Sequence, residues 1–170
     1  MKKIVFILFV VTIFYFISIS NNEKLIIPDE SIRFRIIANS NSYSDQELKW
    51  NINKELIPSL ISIMDSSNSI NIARENINNN LLKIERIVSK YTDNYSINFG
   101  QNYFPLKEYK NISYKEGNYE SLVITLGEGS GDNWWCVLFP PLCLMEATSN
   151  DYDDVVYTSY FKTIINKYQK

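Results

Sequence analysis

The chain contains no histidine among its 170 residues. Histidine is the commonest general base in enzymes and the commonest metal ligand in proteins. Its absence excludes Ser-His-Asp and Cys-His catalysis within one chain. With only two cysteines present, one chain also lacks the four ligands that a structural zinc site requires. We therefore expect a protein without a metal or another cofactor.

Basic residues are not in excess either. The chain has 17 lysines and arginines against 19 aspartates and glutamates, a net charge of −2, and no basic cluster favours nucleic-acid binding. Glycine and proline are scarce, at five residues each, whereas apolar residues make up 45% and aromatic residues 14% of the chain. This composition predicts one globular domain with a substantial core.

The N-terminus is expected to be a signal peptide or an N-terminal anchor over residues 1–20. Lys2 and Lys3 precede an uncharged apolar run, and small residues near its end favour cleavage before Asn21. A retained anchor stays open, because the run is close to the ~17 residues at which membrane spans begin. Both readings place residues 21–170 outside the cytoplasm.

The remaining chain is predicted to be a linker over residues 21–31, a single globular domain over residues 32–146, and an acidic segment and tail over residues 147–170. The domain begins with a strand, Ile32–Ala38, in which apolar and basic side chains alternate.

An amphipathic helix is predicted after this strand and a polar turn. Ser44 and Glu47 have the spacing of a capping box, and apolar residues recur at every fourth position from Leu48 onward. Pro58 lies within this pattern and is expected to kink or end the helix near Ile57.

A second helix and three strands complete the predicted domain. The buried stripe of the second helix comprises Ala73, Ile77, Leu81, Ile84 and Val88. The strands are predicted over Tyr95–Tyr103, Tyr119–Leu126 and Trp134–Phe139, and a weak C-terminal helix over Val155–Tyr168. The strand Tyr119–Leu126 is expected to be central because both of its faces are partly apolar. The prediction is an α/β fold of the α+β type, a small mixed sheet with two amphipathic helices on one face.

One short segment holds Trp134, Trp135, Cys136 and Cys143 together with two adjacent prolines. Successive side chains of a strand face opposite ways, so the two tryptophans cannot both enter one core. One ring is a candidate partner anchor, while burial of both rings on opposite faces stays open. Because the domain is expected to be exported, a Cys136–Cys143 disulfide is predicted. Two reduced, buried thiols are the alternative.

Two signals of enzymatic chemistry are weak. Gly127, Gly129 and Gly131 have the spacing of a tight turn rather than of a phosphate-binding loop. Carboxylates suited to glycoside hydrolysis are present, but no spacing selects a pair among them. They are Asp45, Glu47, Glu120, Glu128, Asp132 and Glu146. A secreted cell-wall hydrolase or a saccharide-binding module is therefore kept as the alternative function.

Three segments of the chain resemble the stage II sporulation protein R family. They are Ile32–Ser40 (IRFRIIANS), Gly117–Ile124 (GNYESLVI) and Gly127–Cys143 (GEGSGDNWWCVLFPPLC). The family often has histidine where Arg35 stands here and aspartate where Asn41 stands. These departures argue against acid–base chemistry in the first segment.

The resemblance implies an intercellular signal without enzymatic activity, secreted across the forespore membrane into the intermembrane space. There it is expected to activate a membrane-embedded aspartic protease of the mother cell, which cleaves an inactive sigma-factor precursor. A purely structural role in sporulation stays open. The candidate partner-binding residues are Trp134, Trp135, Asn133, Phe139, Arg33, Arg35, Asn39 and Ser40, the last four as a polar rim or as a solvated strand edge and turn.

Overall fold

The computed structural model of the protein describes residues 30–109 and 112–142, the backbone of Leu25–Ile26, and the single residues Lys3, Thr12 and Lys167. Apart from Lys3, Thr12 and Lys167, the predicted leader, the acidic tail and the weak C-terminal helix lie outside the described residues. Within the described part of the chain, no helix has both the length and the apolar character needed to span a membrane.

In the part of the chain that the structure describes, seven strands form two sheets. They are β1 (Leu25–Ile26), β2 (Ile32–Ile37), β3 (Tyr95–Phe104), β4 (Lys107–Tyr109), β5 (Ile112–Tyr114), β6 (Gly117–Leu126) and β7 (Asn133–Phe139). The main sheet has the order β3-β6-β2-β7, in which β2 is parallel to β6 and the other pairs are antiparallel. The small sheet has the order β1-β5-β4, so the predicted linker contains a strand. The mixed sheet and its helices confirm the predicted α+β fold.

Three helices pack on one face of the main sheet: α1 (Tyr43–Met64), α2 (Ile70–Asn79) and α3 (Leu81–Ser89). The core lies between these helices and the side chains of β2, β6 and β7 that face them. Strand β6 is central, as predicted, and its apolar residues on both faces are buried. This arrangement buries one side of each helix and leaves the other side in water.

The N-terminal cap of α1 is Ser42, not Ser44. The Ser42 side chain accepts a hydrogen bond from the backbone N–H of Asp45 at 3.2 Å, and the helix begins at Tyr43. The predicted capping box at Ser44 and Glu47 is therefore wrong by two residues. Several consecutive polar residues can cap this helix, and contacts between Asp45 and the preceding turn select Ser42.

Helix α1 continues through Pro58 to Met64, so of the two predicted outcomes, a kink or an end near Ile57, the end is wrong. A proline removes the hydrogen bond to the carbonyl four residues earlier, here that of Lys54. Both Lys54 and Pro58 lie on the exposed side of the helix. Water can therefore reach the region where the helical hydrogen bond is lost.

The second predicted helix is divided into α2 and α3 at Asn80. The Asn80 side chain donates to the carbonyl oxygen of Asn76 at 2.8 Å, and the Asn80 backbone N–H donates to the carbonyl oxygen of Ile77 at 3.0 Å. Four of the five residues of the predicted stripe are buried and the fifth is half-buried. The buried face was therefore predicted correctly, whereas the continuity of the helix was not.

Strand β3 changes its buried face near its end. Tyr95, Ile97 and Phe99 pack against the helical core, as the alternation predicts. Tyr103 on the same face is 56% exposed, whereas Phe104, on the opposite face, is fully buried. The described helices therefore cover only the first half of β3, and Phe104 belongs to a second apolar cluster on the other side of the sheet.

Candidate functional site

The two adjacent tryptophans of β7 lie on opposite faces of the main sheet, as the strand alternation predicts. Trp134 packs against the helical core and meets Phe34 edge to face, with ring centroids 5.9 Å apart. Trp135 is 9% exposed and lies in the second cluster. Neither ring is among the exposed large apolar side chains of the described residues. Both tryptophans contribute mainly to packing.

The second face of the sheet carries a cation–aromatic layer, formed by Arg33, Arg35, Phe104, Tyr119 and Trp135. The Arg33 guanidinium carbon lies 3.3 Å from the centroid of the Tyr119 ring, and that of Arg35 lies 4.8 Å from the Phe104 centroid. Arg35 is the cross-strand partner of Trp135, which meets Phe104 at 5.2 Å. The layer joins β2, β3, β6 and β7 through stacking contacts.

Burial changes the interpretation of the two arginines. Arg33 is 1% exposed, so it forms neither a rim nor a solvated strand edge. Arg35 is half-buried, and burial lowers the pKa of its guanidinium. An arginine nevertheless remains charged at neutral pH. The layer therefore places positive charge beneath the surface on this side of the sheet.

A junction of two loops lies where the parallel strands β2 and β6 end. The junction, as used below, comprises residues 38–42 and 127–132. The Asn39 side chain donates to Asp45 at 2.9 Å and accepts from the backbone N–H of Glu128 at 2.9 Å. The Ser40 hydroxyl donates to Asp45 at 2.6 Å. Asn39 and Ser40, predicted as partner contacts, thus hold the two loops and the start of α1 together.

The glycines of the junction permit a close approach of backbones. Gly127 and Gly129 have φ of 55° and 63°, in the left-handed region that favours glycine. A Cβ on Gly131 would lie 2.3 Å from the carbonyl oxygen of Ser40. The backbone N–H of Gly129 bonds to the carbonyl of Leu126 at 3.1 Å. The segment is the tight turn that its spacing predicts.

We expect the acid sensitivity of the fold to depend on Asp45. Hydrogen bonds from Ser40 and then Asn39 lower the pKa of the Asp45 carboxyl from its ordinary value of 3.8. A lowered folded-state pKa contributes stability above the unfolded-state pKa, and this contribution is lost as the pH falls through the folded-state pKa. Urea denaturation from about pH 5 down to about pH 2 should therefore show a steeper acid loss for the natural chain than for Asp45→Asn. Equal losses in the two proteins would contradict this assignment.

Lys49 connects helix α1 to the junction. Its Nζ donates to the carbonyl oxygen of Asp132 at 2.9 Å and to Gln46 Oε1 at 2.6 Å, and the residue is 3% exposed. Burial lowers the pKa of Lys49, the nearby charge of Lys107 lowers it further, and Asp132 opposes both. Lys49 and Lys107 are therefore neighbours in space.

Two aromatic residues of α1 face the solvent, and one of them lies beside Lys49. Tyr43 is 82% exposed and Trp50 is 46% exposed. They are two helical turns apart and so lie on one side of the helix. The Lys49 Nζ lies 5.5 Å from the Trp50 ring, and the Lys107 Nζ lies 4.7 Å from the Trp135 ring. We call Tyr43 and Trp50 the α1 surface.

The sequence interpretation missed Trp50, although a signal was present. Trp50 falls outside the apolar stripe that runs from Leu48 through Ile52, at a position of the helix that faces water. A bulky aromatic residue on the polar side of an amphipathic helix is an exposed apolar group. That observation alone distinguishes Trp50 from Trp134 and Trp135.

The other predicted site residues lie in β7 or after it. Phe139 and Cys136 are buried, at 4% and 3% exposure, and Asn133 is half-buried. Cys143 lies outside the described residues, which contain no free cysteine. No group of three or more potential metal ligands occurs in the described part of the chain.

One of the candidate hydrolytic carboxylates is engaged in an ion pair. Glu120 on β6 is bound by Arg74 of α2 through two hydrogen bonds, of 2.6 and 2.8 Å. This planar, two-point contact joins the helical layer to the sheet. Glu120 therefore has a structural contact, as Asp45 does at the junction.

Comparisons with known proteins identify relatives. The stage II sporulation protein R (spore_II_R) family profile matches residues 28–149. The curated stage II sporulation protein R of Bacillus subtilis (strain 168) is 39% identical over 138 residues, which cover 78% of this chain and 62% of that protein. The chain thus spans less than two thirds of the length of this relative. No solved structure matches significantly.

Proposed function

The chain belongs to the stage II sporulation protein R family, and we propose that it is an exported sporulation signal that activates a membrane-embedded aspartic protease of the mother cell. Activation leads to cleavage of an inactive sigma-factor precursor. The chain acts from the intermembrane space, after crossing the forespore membrane, and touches the membrane only if its leader is retained. It acts as a protein ligand and not as an enzyme.

The observation that carries this proposal is the exposed Trp50 beside Lys49. Tryptophan side chains commonly supply the largest share of binding energy at protein interfaces. Trp50 is 46% exposed and Tyr43 is 82% exposed on the same side of α1. The Lys49 Nζ, 5.5 Å from the Trp50 ring, adds positive charge next to this ring. This chemistry favours a protein partner that offers an apolar pocket flanked by aspartate or glutamate.

The sequence supports a role without catalysis. The chain has no histidine, so activation is proposed to work through binding and not through bond cleavage by this protein. The aromatic pair of β7 is used for packing, because Trp135 is 9% exposed and Trp134 packs on the core. The proposed partner surface therefore lies on α1 and not on β7.

Co-expression tests the proposal directly. The exported chain, the protease and the sigma-factor precursor are produced in a host that lacks all three, and precursor cleavage is followed by immunoblotting. Cleavage is expected only when the chain is exported. A matched chain without residues 1–20 stays in the cytoplasm and should give no cleavage. Cleavage that does not depend on the exported chain would refute the proposal. If the precursor is not cleaved although all three proteins are correctly located, the proposal is refuted as well. Muropeptide cleavage assays would then test the alternative function.

We also propose that Cys136 and Cys143 form a disulfide after export. In the chain-entropy model, closing so short a loop stabilises the fold by ~2–3 kcal/mol. Alkylation in denaturant followed by intact mass spectrometry should show no modified cysteine in the exported chain without reductant and two after reduction. A Cys143→Ser chain should show one modified cysteine without reductant. Two modified cysteines in native material would contradict the disulfide.

A further inference from the structure

Strand β3 forms an open edge of the main sheet. It pairs with β6 over its ten residues and with no other strand of the described chain. It contains neither a charged residue nor a proline. Natural edge strands are usually protected by charges, prolines, bulges or short length, because an open edge can pair with another chain. A long, uncharged edge strand is therefore a place where an additional strand can be added.

A groove runs beside this edge, between β3 and α3. It has a volume of about 510 Å³ and is lined by Leu81, Glu85, Asp93, Tyr95, Ser96, Ile97 and Phe99. The three larger side chains from β3 are half-buried, so part of their surface is available to a ligand. Leu82, next to the groove on α3, is 69% exposed. The groove thus offers an apolar floor beside an open row of backbone groups.

The charge of the groove is negative. Glu85 and Asp93 are both exposed, and neither forms an ion pair or a hydrogen bond with a described residue. No lysine or arginine is present among the lining residues. A ligand that fills the groove and carries a basic side chain would therefore meet two carboxylates without a competing cation.

We infer that the β3 edge and this groove bind an extended, basic segment of a protein partner. The segment adds to the sheet as a further strand, and its backbone bonds to the outer edge of β3. Apolar side chains at alternate positions enter the groove and contact Ile97 and Phe99, while a lysine or arginine pairs with Glu85 or Asp93. This surface is distinct from the α1 surface, and the inference does not require the protease to be the partner.

A second copy of this chain fits the groove less well. Its own β3 could pair edge to edge, but β3 carries no charged residue. Such a dimer would leave Glu85 and Asp93 of both copies without a basic partner from the added strand. The charge of the groove therefore favours a different, basic segment.

Binding of synthetic peptides to the purified full chain tests the inference. The probe is a fluorescent peptide of the length of β3 in which valine alternates with threonine and two lysines stand at one end. A second peptide carries two glutamates in place of the lysines, and a third is the lysine peptide with every backbone nitrogen of its alternating valine–threonine segment methylated. The lysine peptide should bind about tenfold more tightly than the glutamate peptide at low salt. The methylated peptide should not bind, because it cannot form a strand pair.

Charge reversal in the groove supplies the matched control. Glu85→Lys combined with Asp93→Lys should reverse the preference, so that the glutamate peptide binds more tightly. Glu75→Lys combined with Glu116→Lys makes the same change in charge at exposed positions outside the groove and should leave the preference unchanged. Hydrogen exchange of the β3 amides should slow when the lysine peptide is bound.

Four results would overturn the inference. In the first two, none of the three peptides binds, or the methylated peptide binds as tightly as the unmethylated lysine peptide. In the third, the groove variant still binds the lysine peptide more tightly than the glutamate peptide. In the fourth, the chain forms a concentration-dependent dimer that protects the β3 amides without peptide. The last result would assign the edge to a second copy of the chain. None of these measurements uses the protease, so they leave the outcome of the co-expression experiment independent.

Discussion

Replacing Gly131 by alanine is expected to lower the free energy of unfolding by about 2–4 kcal/mol. The added Cβ would lie 2.3 Å from the carbonyl oxygen and 2.5 Å from the carbonyl carbon of Ser40, and 3.0 Å from the Cβ of Ala38. These are backbone or short, rigid neighbours, so a rotamer change cannot relieve the overlap. The two loops must separate, which strains the hydrogen bond between the Gly131 N–H and the Ala38 carbonyl, 2.9 Å long.

The matched control is Gly100→Ala in β3. A Cβ at Gly100 meets no atom closer than Asn98 Oδ1 at 3.7 Å, an ordinary contact. Its effect should be small or slightly stabilising, by up to about 1 kcal/mol, because alanine restricts the unfolded chain. Urea denaturation monitored by tryptophan fluorescence compares the two variants. If Gly131→Ala were as stable as Gly100→Ala, the two loops would not be packed as tightly as the junction requires.

Replacing Trp50 by alanine should abolish activation of the protease while the domain stays folded. Loss of a central aromatic anchor costs about 2–4 kcal/mol of binding free energy, or roughly 30- to 1,000-fold in affinity. Because Trp50 is 46% exposed, its removal exposes little of the core, and the free energy of unfolding should fall by less than about 1 kcal/mol. Precursor cleavage in the co-expression system measures activation, and urea denaturation measures the fold.

Two further variants separate binding from stability. Ile72→Ala removes an apolar side chain of α2 that is 37% exposed and lies outside the α1 surface, so cleavage should be unaffected. Trp135→Ala opens the cation–aromatic layer and should lower the free energy of unfolding by about 3–5 kcal/mol. If the Trp50→Ala chain is folded and the precursor is still cleaved normally, the α1 surface is not the anchor. The same conclusion follows if Trp50→Ala and Ile72→Ala reduce cleavage equally.

Hydrophobic periodicity was sufficient for much of the architecture. The stripes of α1 and of the second helical segment predicted the buried faces correctly, because a residue's position around a helix follows from its spacing alone. The opposite orientation of Trp134 and Trp135 followed in the same way from the two-residue period of a strand. Local capping was less certain, since several polar residues before α1 can serve as its cap.

The assignment of site residues could not be completed from local pattern. Arg33 alternates with apolar residues in the sequence and was expected to be solvated or at a polar rim. In the structure Tyr119 and Phe104, both more than 70 positions away along the chain, lie against its guanidinium. Asn39 and Ser40 were expected to contact a partner. The parallel pairing of β2 and β6 instead places Asn39 against Glu128 and Ser130, and the Ser40 hydroxyl donates to Asp45.

The sequence by itself determined the family, the α+β class, the buried helix faces and the orientation of the two tryptophans on β7. The tertiary structure alone decided which polar residues are used internally and which edge of the sheet lies beside a groove. The physical reason is the distance along the chain between the residues that determine each property. Periodicity and motif identity depend on neighbours in sequence, whereas burial of Arg33, the loop junction and the open groove beside β3 depend on strand order and on contacts between distant segments.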